Sequence, residues 1–128
     1  MSSLVTRRFS TTVGPGAGGE LTAGAERDAT IERVDVRFYS GPRLDLELIP
    51  FVRTERGGRV ELIDVTGRNA IVGDNDVFEF EVSEPLDSTD VLGVEFNNTD
   101  DENAYDFVVD LQIDREGGQN RVFGGVFS

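Results

Sequence analysis

Four residue types are missing from this chain of 128 residues: cysteine, histidine, tryptophan and lysine. Without Cys, neither a disulfide nor a thiolate metal site can form. Without His, the commonest general base and metal ligand is gone. Without Trp, only Tyr39 and Tyr105 offer a polar-tipped platform for a sugar, with Phe as the remaining aromatic. No apolar run approaches the ~18 residues of a membrane-crossing helix. Arg7 and Arg8 interrupt the segment where a signal peptide would carry its apolar core. The expectation is a protein made and kept inside the cell, or one that leaves it only within an assembly.

The missing lysine bears on charge as well. All 12 basic residues are Arg, they face 25 Asp and Glu, and the net charge is −13. A surface that tracks phosphates needs clustered cations, so nucleic acid is not an expected partner. An anionic membrane surface is disfavoured for the same reason. One reading of the missing lysine is a GC-rich genome, which favours Arg codons; another is adaptation to molar salt, where an acidic surface holds water and ions. At ~1 M salt the screening length is about 3 Å, which removes most of the self-repulsion.

What is present is alternation. In Asp90–Asp114 (DVLGVEFNNTDDENAYDFVVDLQID) Leu92, Val94 and Phe96 fall on one side of a strand. Tyr105, Phe107, Val109, Leu111 and Ile113 do the same after an acidic, Asn-rich loop. Further strands are expected over Leu4–Val13, Ala29–Tyr39, Leu44–Leu48, Val60–Val65, Phe78–Val82 and Arg121–Phe127, with Glu20–Asp28 ambiguous. Ile31 is out of phase with Val34, Val36 and Phe38, which predicts a bulge near Glu32. Pro50 and the out-of-phase Phe51 predict a break at Ile49-Pro50, or a sheet edge there. Pairing Phe96 with Tyr105 would set Glu95 against Asp106, and like charges facing each other destabilise a pair. Placing the two strands in different sheets removes the conflict. The fold class expected is all-β: an antiparallel β-sandwich, jelly-roll-like, of about eight or nine short strands.

Residues 1–28 read as an N-terminal strand with a Gly-rich linker (GPGAGG, Gly14 to Gly19), either part of the domain or an arm for subunit contact. Residues 29–128 read as the sandwich itself. The chain end, Val122-Phe123-Gly124-Gly125-Val126-Phe127-Ser128, is apolar where termini are normally polar. Phe123, Val126 and Phe127, with Phe9 of the first strand, are candidate subunit contacts; a final intramolecular strand is the alternative.

Candidate chemistry is sparse. Asp100, Asp101, Glu102 and Asp106 crowd one loop, and Ca²⁺ takes about six to eight oxygens. The loop lacks the spacing and glycine of an EF-hand, and a solvated acidic tip explains it as well. Asp74-Asn75-Asp76 is a weaker candidate that turn chemistry also explains. Asn97-Asn98-Thr99 matches a glycosylation sequon, a match that occurs often by chance. A catalytic carboxylate pair needs one acid in an apolar cleft, and nothing in the sequence singles one out. GPGAGG has neither the Lys of a P-loop nor the spacing of a dinucleotide fingerprint. An enzyme is not expected, and neither is a cofactor beyond a cation.

The Lys-free acidic composition and the segment GDNDVFEFEVSEPLDSTDVLGVEFNNTDDENAYDFVVDLQID resemble, in pattern, the small β-sandwich structural proteins of haloarchaeal tailed viruses. The resemblance covers roughly the C-terminal half. It implies a virion protein, a capsid-surface decoration or turret protein. Such a protein would form a homo-oligomer, trimer or pentamer, and touch other virion proteins such as a major capsid protein. The alternative expectation is a Ca²⁺-dependent glycan-binding or host-attachment module.

Overall fold

A computed structural model describes residues 4–39, 41, 45–63 and 70–115. Eight strands run through them: β1 (Leu4–Val13), β2 (Gly18–Gly24), β3 (Ala29–Phe38), β4 (Leu46–Arg53), β5 (Arg59–Glu61), β6 (Val77–Leu86), β7 (Val91–Asn98) and β8 (Tyr105–Asp114). They form two four-stranded sheets, β1-β8-β3-β6 and β2-β7-β4-β5, with every pairing between named strands antiparallel. Successive strands change sheet at every step except the β4–β5 hairpin. Eight strands wound between two sheets in this way make a jelly roll.

The alternation sets what each strand buries. Leu92 and Val94 of β7, and Phe107, Val109, Leu111 and Ile113 of β8, are all buried. They meet Val34, Val36 and Phe38 of β3 and Leu46, Leu48 and Val52 of β4 in one core. Phe96 packs on Phe107 between the sheets, with ring centres 5.7 Å apart. The conflict foreseen between Glu95 and Asp106 is resolved by topology: Glu95 lies opposite Glu20 and Ile49 in one sheet, Asp106 opposite Thr12 in the other. The foreseen bulge is present too, as a register shift between Ile31 and Arg33 against both neighbours.

Three boundaries differ from the sequence reading. β4 does not break at Pro50 but runs on to Arg53. Pro50 is tolerated because its missing N–H faces the β5 side just past the end of that strand; its carbonyl there accepts from Leu62 N at 3.0 Å. Phe51 is out of phase with the leucines because it points away from the core. It fills the space over Gly93, where a Cβ would come within 2.4 Å of its ring. Arg53 and Arg59 cover its ring, 4.9 and 4.4 Å from the ring centre. β6 continues through Pro85 to Leu86, which an edge strand permits, and β5 is only three residues long.

The segment read as a linker contributes its last two glycines to β2. A Cβ on Gly19 would stand 3.2 Å from the Phe96 ring. β1 pairs along its whole length with β8 of the same chain, from Leu4 opposite Asp114 to Val13 opposite Tyr105. Phe9 lies in the core, 5% exposed. The strand expected over Arg121–Phe127, with Phe123, Val126 and Phe127, lies outside the described residues.

Candidate functional site

The acidic loop between β7 and β8 is held from within. Asn98 is buried to 1% exposure, and its side-chain N–H groups reach the carbonyls of Asn103 (2.8 Å), Gly14 (3.1 Å) and Val13 (3.3 Å). Its Oδ1 accepts from Asp100 N at 2.9 Å. One side chain thus ties the β1–β2 turn to the β7–β8 loop. Asp100 caps the next turn, accepting from the backbone of Glu102 (2.8 Å) and Asn103 (3.3 Å) and from the Asn103 side chain (3.0 Å). The Tyr105 hydroxyl donates to the same carboxylate. That bond, first among these, holds the Asp100 carboxyl down at about 2 and pushes the Tyr105 phenol up.

Asp101 and Glu102 stand exposed at the tip. Asp106 points outward from β8 and accepts from Thr12 across the sheet. The four acids noted in the sequence therefore face different ways, with Asp100 engaged by its own loop. Among the described residues no three acidic groups are placed to hold a metal ion. Asp74 and Asp76 serve their turn: Asp74 accepts from Gly41 N, and Asp76 from Asp74 N, both at 2.8 Å. Asn97, the sequon acceptor, is exposed and donates to Glu47 Oε1 at 3.3 Å.

A groove of about 520 Å³ lies on the outer face of the β2-β7-β4-β5 sheet. Gly18 leaves its floor bare beside Glu20, Ile49 supplies an apolar patch, and Glu20, Glu47, Glu95, Asn97 and Arg59 line it. Glu20 and Glu95 are directly opposed across β2 and β7, a costly arrangement if left alone. Each has an arginine: Arg53 reaches Glu20 at 2.9 Å and Arg59 reaches Glu95 at 2.7 Å. A metal entering here would have to displace both guanidinium groups. Sequence reasoning missed this groove because its carboxylates come from β2, β4 and β7, with no local motif to join them.

The outer face of the β1-β8-β3-β6 sheet is laced in the same manner. Asp35 and Asp110 face each other, flanked by Arg33 on Asp35 (3.0 Å) and Arg8 on Asp110 (2.8 Å). Tyr39, 45% exposed, stands between two shallow depressions of about 270 and 260 Å³. Arg8, Asp35 and Asp110 border one; Ser10, Thr12 and Asp106 border the other.

No protein-family model matches the chain. No curated protein sequence matches it either. Among solved structures it is similar to the Yersinia pseudotuberculosis-derived mitogen, with a TM-score of 0.52 and 15% identity over 87% of this chain and 86% of that one. It is also similar to infectious bursal disease virus Gt strain, with a TM-score of 0.52 and 12% identity over 93% of this chain and 33% of that one. The VP2 subviral particle of the same virus gives 0.50 and 13% over 94% and 34%. The chain thus spans about a third of the bursal disease virus chains it matches. At such identities the likeness is one of fold.

Proposed function

We infer that this protein is a non-enzymatic structural component of a virion, a capsid-surface decoration or turret protein that assembles as a symmetric oligomer. The observation that carries this reading is the strand order, β1-β8-β3-β6 against β2-β7-β4-β5, the jelly roll used by viral capsid and lectin domains. The inference from fold to role is an analogy, and the likeness to the bursal disease virus chains supports it. The site chemistry agrees: Glu20 and Glu95 of the groove over β2, β7 and β4 are held by arginines, as befits a surface built to be stable. The finer assignment, to a haloarchaeal tailed virus, rests on the Lys-free composition and the net charge of −13. Light scattering on the purified chain in ~2–3 M salt, where screening is complete, tests the reading. A discrete oligomer is expected, and a monodisperse monomer at every concentration contradicts it.

A second reading, a glycan-binding module, is favoured by one observation. Tyr39 stands between polar depressions with Arg37 over one face of its ring, 5.8 Å from the centre, and a sugar is recognised by an aromatic face flanked by hydrogen-bonding groups. Glycan-array binding that disappears in Tyr39→Ala would establish this reading. No binding with or without Ca²⁺ would remove it.

A further inference from the structure

The two outermost strands of the first sheet, β1 and β6, are each ten residues long. Among the described residues each has a neighbouring strand on one side only. An open edge of that length is a template for another strand, and proteins that do not use such edges blunt them. These two differ in charge. β1 carries Arg7 and Arg8 and no acid; β6 carries Glu79, Glu81 and Glu84 and no base.

The register aligns the opposite charges. Arg8 lies level with Asp110, Asp110 with Asp35, and Asp35 with Glu79. Arg8 and Glu79 thus end the same row at opposite edges of the sheet, both exposed. The last row runs Leu4, Asp114, Thr30, Pro85. Three antiparallel steps separate β1 from β6, so the two run in opposite directions. A second copy set beside the first in the same orientation therefore continues the antiparallel order.

We propose that β6 of one copy pairs with β1 of the next, extending the β1-β8-β3-β6 sheet from subunit to subunit with Glu79 opposite the adjoining copy's Arg8. Arg8 already holds Asp110 through both Nε and Nη2, at 2.8 and 2.9 Å, and its side chain remains 64% exposed, free to take a second carboxylate. In the same register the adjoining copy's Leu4, 63% exposed here, stands opposite Ser83. Pairing like edges is rejected: β6 on β6 brings glutamates together, and β1 on β1 brings arginines together. A two-fold dimer through these edges is thereby disfavoured. Head-to-tail contact remains, which closes into a ring when the sheet twist supplies the right rotation and runs on as a filament otherwise.

This interface rests on the self-assembly reading above, and the test separates the two. The full-length chain and the variants E79R/E81R and R8E are measured by light scattering at the lowest salt at which each keeps its far-UV circular dichroism. The wild type is expected to be oligomeric and each variant monomeric. An equimolar mixture of the two variants is expected to regain the oligomer, since reversed β6 then meets reversed β1 and native β6 meets native β1. If E79R/E81R fails to fold, E79Q/E81Q takes its place, with at least a tenfold weaker association expected. A wild-type oligomer unmoved by either change sinks this interface and leaves the self-assembly reading standing. A monomeric wild type sinks both.

Discussion

Both outermost strands of the β1-β8-β3-β6 sheet run for ten residues, whereas the β2-β7-β4-β5 sheet ends on the three-residue β5 at one side. At its other side stands β2, seven residues with glycine at 18, 19 and 24. The outer faces also differ. The first sheet carries its ion pairs as a flat lattice around Asp35 and Asp110. The second folds its arginines inward over Phe51 and opens a groove beside them. Strand length and edge charge thus separate a sheet that can be continued from one that is finished. The core is common to both; the continued pairing proposed above belongs to one.

The largest effect should come from breaking the finished sheet. Gly93→Val puts side-chain atoms where the Phe51 ring sits, 2.4 Å from the first added carbon. Overpacking of this kind costs about 1–3 kcal/mol or more, read as a lower denaturant midpoint. The β1 and β6 edges are untouched, so chain that remains folded should keep the wild-type oligomeric mass.

Asn98 links the ends of the two sheets, and Asn98→Ala removes the side-chain donor to the carbonyls of Val13, Gly14 and Asn103, of which Gly14 keeps Ala17 N at 3.1 Å. Leaving buried groups unpaired costs about 1–3 kcal/mol. Proteolysis within the β1–β2 turn should accelerate with the loss, and unchanged proteolysis would show that water replaces the amide.

Ionic strength acts on both sheets together. With a net charge of −13, lowering salt should lower the melting temperature, because repulsion among the excess carboxylates is then unscreened. A melting temperature independent of salt would remove the inference of adaptation to high salt.

The smallest effect is local to the β7–β8 loop. The Asp100 carboxyl is held at about 2, below its ordinary 3.8, chiefly by the Tyr105 hydroxyl. A carboxyl lowered in the folded state stabilises the fold above its unfolded value, and that contribution is lost as pH falls from 3.8 through about 2. Asp100→Asn should make the acid limb of stability against pH shallower in that window. An unchanged limb would mean that the Tyr105 bond does not persist in solution.

The sequence reading went furthest where a strand is buried on one face. The alternation in β3, β7 and β8 marked the inward residues, Ile31 betrayed the bulge, and the clash of Glu95 with Asp106 pointed to separate sheets. It went wrong where burial comes from outside the core. Phe51 looks misplaced in sequence because its cover, Arg53 and Arg59 with the bare surface of Gly93, is assembled from three strands. Gly18 and Gly19 read as a breaker because Asn97 and Phe96, their close neighbours, are far away in the chain. The four acids of the β7–β8 loop are adjacent in sequence, yet their directions were not legible there: Asp100 turns into its own loop while Asp106 faces Thr12. The charge contrast between β1 and β6 was present in the letters, yet it gained meaning only when the pairing made both strands edges of one sheet.

Hydrogen exchange at those edges, followed as a function of protein concentration, tests the continued sheet most directly. In an edge strand, alternate amides point away from the sheet and exchange freely unless another strand covers them. The outward amides of β1 and β6 should be slow in concentrated protein and fast on dilution, while those of β2 remain fast throughout. Edge amides of β1 and β6 that exchange alike at every concentration would contradict the account.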